Sequence, residues 1–449
     1  MYTRAMGRRV LLAAMGAVAV SSCSLAVSLD GLTGGGHTGD GGLAAADGAI
    51  DAPTTDAAAD VEAGGGLEPS LLAHTGGTYA TGDAQQVHLV YATHARLWWL
   101  FVADAATPNA IGTRSSDDFV TWTAGPALTL PAGHDGDGRN FSVAYADRNG
   151  RDVVHLSISL RPDKADFRHY HARAAIDGAQ LAFEGPDLLD EVPANDDTLV
   201  PDGPSTAVAS SGIVVDTSGL SMKDDGGTGY GNEYAWRSTA SDNGAPTWKA
   251  AWNARDIVEV VPLVSNARAL VPFASDSVLA MWEKADVEPN PTDVRFSRIV
   301  GTTWSASGNV FGRSDPLDKN DWSVWRVTDT EVHAVRRSLA GAFDHRIFDG
   351  TKWQGGAQIA RDPGVAGTGL VLVGRAGGVT LVQIGSDAAN SLRTSTFANG
   401  AWSAWTTLLG TPAARTSLTR ASTTGPAALV WTETKPGAGQ DIAGLLLPN

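Results

Sequence analysis

From about Leu67 to its C-terminus the chain reads as short apolar or alternating runs, each closed by Gly, Pro, Asn or Asp, a pattern that predicts strand after strand. No helical period is sustained in it. The runs fall into sets of four. Gln86–Thr93, Leu97–Asp104, Ala110–Ser115 and a strand from Thr121 make the first; Phe141–Asp147, Asp152–Leu160, His169–Ile176 and Gln180–Phe183 make the second. Ser205–Ser210, Gly212–Thr217, Glu233–Ser238 and Thr247–Trp252 form the third, and Ala269–Phe273, Val278–Glu283, Val294–Ile299 and Thr303–Val310 the fourth. The fifth holds Trp322–Val327, Val332–Arg337, Phe343–Phe348 and Lys352–Ile359; the sixth Leu370–Val373, Val379–Ile384, Leu392–Phe397 and Ala401–Leu408. A seventh set, Thr416–Arg420, Ala427–Thr432 and Asp441–Leu446, lacks one strand, which Ser70–Thr78 can supply.

The join before each fourth strand marks the register. Asp177-Gly178, Asp349-Gly350 and Asn399-Gly400 are two-residue hairpin signals, because both central positions need positive φ. Trp122, Leu181, Trp248, Trp304, Trp353 and Trp402 follow these turns or their equivalents, at spacings of 59, 67, 56, 49 and 49 residues. Repeats of roughly 40–50 residues with four strands each are how propeller blades appear in sequence.

Within that series, Ser115-x-Asp117-x-Phe119-x-Thr121-Trp122 resembles the Asp-box of the sialidases and related β-propeller proteins, with Phe119 where the pattern usually has glycine. Ser241-Asp242-Asn243-Gly244-Ala245-Pro246-Thr247-Trp248 is a degenerate copy with one extra residue. The resemblance covers roughly residues 86 to 410. It implies an all-β fold, a single propeller over 67–449 with seven four-stranded blades, the N-terminal strand closing the last; six blades is the alternative. Ser115, Asp117, Thr121 and Trp122 are then a fold device: the Asp117 carboxylate accepts backbone N–H groups in a tight loop and Trp122 packs between sheets. In the resembling families this loop lies away from the binding face, which argues against a catalytic Asp117.

The N-terminus carries different information. Arg4, Arg8 and Arg9 precede an apolar run, Val10 to Val20, too short to span a bilayer and suited to a signal peptide. Val20-Ser21-Ser22-Cys23 resembles the bacterial lipobox, which implies a signal peptide over 1–22 and a diacylglycerol on Cys23. Ser24 stands where an Asp would favour inner-membrane retention, so placement at an outer membrane or cell surface is expected. The remainder of 23–66 is mostly Gly, Ala, Asp and Thr and cannot bury enough apolar surface to offset its ordering entropy. It is expected to be a disordered tether reaching roughly 30–35 Å.

Composition narrows the function. Cys23 is the only cysteine among 449 residues, so no intramolecular disulfide can form. A net charge of -16 excludes a nucleic-acid partner, which needs a surplus of Lys and Arg. Nucleotide-binding motifs are absent from suitable positions. A monomer is expected.

In a propeller, the loops entering the first strands share one face with those joining second to third strands, and ligands bind there. That face would collect residues 132–139, 161–166, 188–204, 218–233, 283–292 and 312–321, the longest and most acidic coming from the second and third sets. Asp135-Gly136-Asp137-Gly138 has the spacing of the start of a calcium loop, making Ca2+ the one cofactor the sequence suggests. Arg139 and Ala146 break the rest of that pattern, and a solvated turn is the competing reading. His169 and His171 share one side of a strand, but no third metal ligand accompanies them, and a polar face of an outer strand accounts for them better.

Two functions from different classes follow. One is binding of a glycan or an envelope protein through Asp135, Asp137, Arg139, Asp202, Tyr230 and Trp322, the aromatic pair stacking on sugar rings. The other is a glycoside hydrolase of sialidase-like type, with Tyr230 and Glu233 at the reacting centre and Asp135 or Asp137 as acid/base. No cluster of three arginines can be assembled for the second, and the sequence does not decide whether the chain is an enzyme.

Overall fold

The short runs fold as consecutive antiparallel meanders in a computed structural model that describes residues 67–76, 79–104, 106–132, 137–160, 166–193, 200–223, 229–261, 263–285, 293–311, 322–337, 341–362, 369–375, 378–385, 390–410, 414–421, 425–435 and 439–448. The expected signal peptide over 1–22, Cys23 and the expected tether to residue 66 lie outside these residues. The described part is all-β. Strands Asp152–Leu160 and Gly378–Ile384, each second in its meander, are buried along their whole length. They lie inside their sheets and are covered on both faces, which explains their near-continuous apolar sequence. Third strands such as Ala110–Ser116 alternate between buried and partly exposed positions.

Five sheets are single meanders. The second meander runs Phe141–Asp147, Asp152–Leu160, Asp166–Asp177, Gln180–Pro193; the third runs Val200–Val208, Val214–Lys223, Gly229–Arg237, Asp256–Val261. Leu263–Phe273, Ser277–Ala285, Asp293–Val300 and two short pieces from Thr303–Trp304 make the fourth. Trp322–Thr328, Glu331–Arg337, Phe343–Phe348 and Trp353–Gly355 make the fifth; Leu370–Arg375, Gly378–Ile384, Leu392–Ala398 and two short pieces from Ala401–Trp402 make the sixth. The remaining sheet joins two meanders. Val87–Ala92, Leu97–Ala103 and Ala110–Ser116, with short outer pieces, are linked to Ala414–Ala421, Ala428–Lys435 and Gly439–Leu446 by a parallel contact, Val87 opposite Arg420 and Leu89 opposite Ala421. The N-terminal strand Ser70–Thr75 pairs antiparallel with Gly439–Leu446, with His74 Nδ1 2.6 Å from Asp441. The first strands of successive meanders touch in order, and that of the last touches that of the first.

Apolar clusters fill most of the seams between neighbouring sheets. Trp99 and Phe101 of the first meander meet Phe141 and Leu156 of the second; Phe273 and Met281 of the fourth meet Trp322 and Val324 of the fifth. Leu72, Phe119, Val430 and Ile442 close the join between the last meander and the first. The seam between the second and third meanders has smaller apolar clusters and a row of buried histidines instead.

Two strand expectations are corrected. The fourth strand of the third meander is Asp256–Val261 and not Thr247–Trp252, because Trp248 and Trp252 fold back against His155 and His171. The described parts of the long acidic stretches at 188–204 and 218–233 are strand, lengthening the second and third meanders.

The Asp-rich turn has its roles shifted by one residue. Asp118, and not Asp117, accepts the N–H groups of Val120 and Thr121, both at 2.7 Å, and the Ser116 hydroxyl at 3.0 Å. Those N–H groups hold the Asp118 carboxyl down at about 2. Ser116 is buried whereas Asp117 is exposed, since strand alternation turns Ser116 inward and starts the turn one residue later. Asp349 repeats the arrangement, accepting from Thr351 N and Lys352 N at 2.9 Å each, with Gly350 next at φ +92°. Phe119 occupies that same position at φ +64°. A non-glycine residue there costs about 1–2 kcal/mol, yet the Phe119 ring is buried edge-on to Trp98 at 5.0 Å and Trp122 at 5.5 Å. Truncating a buried Phe costs about 3–5 kcal/mol, so packing wins. Phe119→Gly is expected to lower stability by about 2 kcal/mol in urea unfolding; a stabilised variant would show that backbone strain dominates.

Candidate ligand-binding face

The chain between Ser70–Thr75 and the first strand of the first meander builds the floor of the face. Thr75 Oγ1 donates to Ala103 O at 3.1 Å, and Gly76 N donates to Asp104 Oδ1 at 3.0 Å. Gly82 N then bonds Tyr79 O at 2.9 Å, and the Gln86 side chain accepts from Asp83 N at 2.9 Å. Ala80, Thr81, Asp83, Ala84, Gln85 and Gln86 are all buried, which requires their polar groups to find partners inside. They find them on several sheets. Gln85 Nε2 donates to Trp322 O at 2.6 Å in the fifth meander. Gln86 Nε2 reaches Arg139 O at 2.9 Å, Phe141 O at 3.1 Å and Pro204 O at 3.4 Å, tying in the second and third. Thr419 donates to Gln86 O, and the Thr81 hydroxyl lies 3.3 Å from that of Thr432, adding the seventh.

Asp137 and Arg139 stand on this floor. Asp137 Oδ1 accepts from Arg139 N at 2.9 Å, and the Arg139 guanidinium meets the carboxylate through Nε at 3.0 and 3.1 Å and Nη2 at 2.5 Å. The guanidinium lies 4.3 Å from the centre of the Tyr79 ring, a cation–π contact. Both partners of the ion pair stay partly exposed, at 32% for Arg139 and 21% for Asp137. Gly138 is required by closeness: a Cβ there would lie 2.4 Å from Tyr79 O and 2.6 Å from Ala80 O. The Asp-Gly spacing thus serves backbone approach to the floor, and Asp137 is neutralised by its neighbouring arginine. Asp135 lies outside the described residues.

The other nominated residues separate. Glu233 is buried against Arg268, Oε2 to Nε 2.8 Å, each 1% exposed. Burial pushes its carboxyl up to about 7, with Glu259 adding to the shift and Arg268 opposing it. A carboxyl titrating near neutrality suits acid/base chemistry, but this one is enclosed. Trp322 is wholly buried in the seam between the fourth and fifth meanders, so its ring is core and only its carbonyl meets the floor. Asp202 and Tyr230 occupy strands, opposite Gly219 and Met222, and their side chains lie outside the described part. His169 and His171 do not form a solvated polar face: both are buried between sheets. Among the described residues, no group of three or more His, Cys, Asp or Glu side chains is arranged to hold a metal ion.

No protein-family model matches the chain, and no curated protein sequence does. Solved structures do. A PL25 ulvan lyase bound to -[GlcA(1-4)Rha3S]- superposes with a TM-score of 0.52 at 11% identity, over 84% of this chain and 95% of that one. The polysaccharide lyase Uly1 gives a TM-score of 0.48 at 10% identity over 88% and 94%. Trypanosoma rangeli sialidase in complex with the inhibitor DANA gives 0.44 at 9% identity over 73% and 56%. What the ulvan lyase shares with this chain is the fold, which is of the β-propeller type.

Proposed function

We propose that the chain is an exported lipoprotein, anchored by a lipid on Cys23 and spaced by residues 24–66, that presents a β-propeller over 67–449 for binding a glycan. A protein of the cell envelope is the other partner class consistent with the same face. The cyclic contacts of the first strands, and the pairing of Ser70–Thr75 with the last meander, support seven blades closed by the N-terminal strand. One observation carries the binding role: the partly exposed group of Tyr79, Arg139 and Asp137, fixed on a buried hydrogen-bonded floor. A rigid aromatic ring beside paired hydrogen-bonding side chains is what a saccharide needs, and holding them in place beforehand lowers the entropic cost of binding. The saccharide in the ulvan lyase of similar fold is in keeping with this.

Cleavage of a glycan is the second reading: burial pushes the Glu233 carboxyl up to about 7, but it is enclosed against Arg268 and would act only if uncovered. The two are separated by one set of preparations, the chain from Ser24 onward with and without Arg139→Ala and Glu233→Gln. On a glycan array Arg139→Ala should lose binding at least tenfold with unchanged urea unfolding, corresponding to about 1.4 kcal/mol. Unchanged binding would remove this face as the site, and turnover of aryl glycosides or polysaccharides abolished by Glu233→Gln would make the chain an enzyme. Anchoring is tested separately by Cys23→Ser, which should move the chain from the membrane to the soluble fraction.

A further inference from the structure

Arginines pair in a recurring way in this chain. Arg139, Arg168, Arg173, Arg295 and Arg336 each turn the Nε–Nη2 edge of the guanidinium to one carboxylate, that of Asp137, Glu191, Asp242, Glu259 and Asp344 in turn. Two parallel N–H groups on that edge match the oxygens of an oxyanion, and the opposite charges compensate. Arg420 departs from the rule.

Arg420 lies on Ala414–Ala421, the first strand of the last meander, and is 7% exposed. Its Nη1 donates to Val324 O and, at 3.0 Å, to Leu372 O, on the first strands of the fifth and sixth meanders. Leu372 N, which points to the same edge of its strand as Leu372 O, donates to the Ser323 hydroxyl at 2.9 Å. Arg420 and Ser323 thus satisfy backbone groups that no neighbouring strand reaches. The Trp325 ring lies against the guanidinium, its centre 4.8 Å from Cζ. These contacts fix the plane of the group. In a planar guanidinium the Nε–Nη2 edge faces away from Nη1, and so away from both carbonyls. Nε and Nη2 have no acceptor among the described residues, and neither nitrogen is sealed from solvent.

Among the described residues no carboxylate compensates this charge. Burial takes the Arg420 guanidinium down to about 10, and no acidic group stands near enough to oppose the effect. The three strands that meet there, Trp322–Thr328, Leu370–Arg375 and Ala414–Ala421, contain Arg326, Arg375, Arg415 and Arg420 and no Asp or Glu. In a chain of net charge -16 that is a local excess of positive charge. Water satisfies the N–H groups but leaves the charge uncompensated. An anion therefore gains more at this buried arginine than at an exposed one, where solvent screens the attraction.

We propose that Arg420 anchors an oxyanion-binding site among the first strands of the fifth, sixth and last meanders, taking a small free oxyanion of the size of formate or sulfate on its Nε–Nη2 edge. The slight exposure of the residue restricts the ligand to that size. The site is separate from the face of Tyr79 and Arg139. Gln85 of the floor bonds Trp322 O, whereas Arg420 bonds Val324 O two residues further along the same strand, roughly 7 Å deeper. A bound oxyanion does for Arg420 what Asp242 does for Arg173. It compensates a guanidinium that already holds two neighbouring sheets to its own, so binding tightens the join between the last three meanders.

Urea unfolding of the full chain, with sodium formate replacing sodium chloride at constant ionic strength, tests this. Formate spans both N–H groups and chloride does not. The unfolding constant should therefore fall as 1 + [formate]/Kd, about tenfold at nine times Kd. Equal unfolding constants in about 200 mM of either salt would overturn the proposal. Arg139→Ala should keep the formate effect. Arg420→Lys, which retains the charge but not the paired N–H groups, should lose it; an effect that survives Arg420→Lys places the anion elsewhere and refutes the site. A second measurement needs no variant to fold. In the full chain labelled with 15N-arginine, the Nε–H signal in contact with the Trp325 indole should shift and saturate on titration with formate, and sulfate should compete for the same signal. If that resonance stays in place throughout the titration, Arg420 binds no oxyanion and the proposal fails.

Discussion

Asp242→Ala is expected to lower stability by about 3–5 kcal/mol, one of the two largest effects anticipated here, because it strips the counter-ion from a fully buried arginine. Arg173 and Asp242 are 1% and 0% exposed and meet at 2.5 Å. Desolvating both charges is costly, and their mutual attraction with the surrounding hydrogen bonds offsets it only while both are present. With the carboxylate gone, Arg173 retains only Glu184 on one nitrogen and Ala245 O on another. The same substitution also frees Gly244 N, which Asp242 Oδ1 accepts at 2.8 Å. Asp118→Ala is the control, since Asp118 organises the corresponding turn of the first meander at the surface and pairs with no buried charge. Urea unfolding of the two variants should differ severalfold in ΔΔG. Equal losses would mean that Asp242 acts only on its own turn and that the inter-sheet ion pair contributes nothing.

That contrast also marks how far the sequence could be read. The strand sets and the turns around Gly178, Gly350 and Gly400 were legible because they are local and leave traces within a few positions. Positive φ at both positions of the pair holds only for Asn399-Gly400, Asp177 and Asp349 not sharing the positive φ of the glycine that follows. The need for positive φ at Phe119 was legible only as a departure from glycine, and the choice of Asp118 over Asp117 turned on a one-residue phase of the preceding strand. The buried histidines were misread for a different reason. Alternating His169, His171 and Arg173 look like a solvated face when one sheet is considered alone. They face a second polar row, Asp216 and Asp242, contributed from 45 to 69 residues away. The floor at Tyr79–Gln86 left no local sign either, as Gln85 finds its acceptor 237 residues along the chain. A site assembled from first strands and their approach segments is visible only once the sheets are in place. Arg139 could be nominated from the sequence because it lies beside its own partner; Tyr79 and Gln86 could not.

Acidification from pH 6.5 to about 4 should destabilise the fold by several kcal/mol, through histidines buried in their neutral form. Burial takes His88 down to about 4, where its ring lies 4.2 Å from Phe141 and Nε2 is 3.0 Å from Phe141 O. Burial, with the charge of His333 adding to it, takes His345 to about 3, and its Nδ1 accepts from Trp402 Nε1 at 3.1 Å. His155 stands at about 4. Each has a folded pKa below the unfolded value of about 6.5. Between those values the unfolded chain holds the proton and the native chain does not, so stability is present above pH 6.5 and is lost as pH falls. The slope is about 1.4 kcal/mol per pH unit for each histidine, or about 3 kcal/mol apiece over the whole window. Glu233 works the other way. Its carboxyl is raised from 4.5 to about 7, so its contribution grows as pH falls from 7 to 4.5 and offsets one of the three. The net expectation is a urea midpoint that drops steadily from pH 6.5 to 4, with a slope worth one to two protons. His345→Gln removes one titrating group and should flatten that slope, at the cost of the contact with Trp402. A midpoint unchanged between pH 7 and pH 5 would mean that these imidazoles are already charged in the native state, and that burial between the sheets does not hold them neutral.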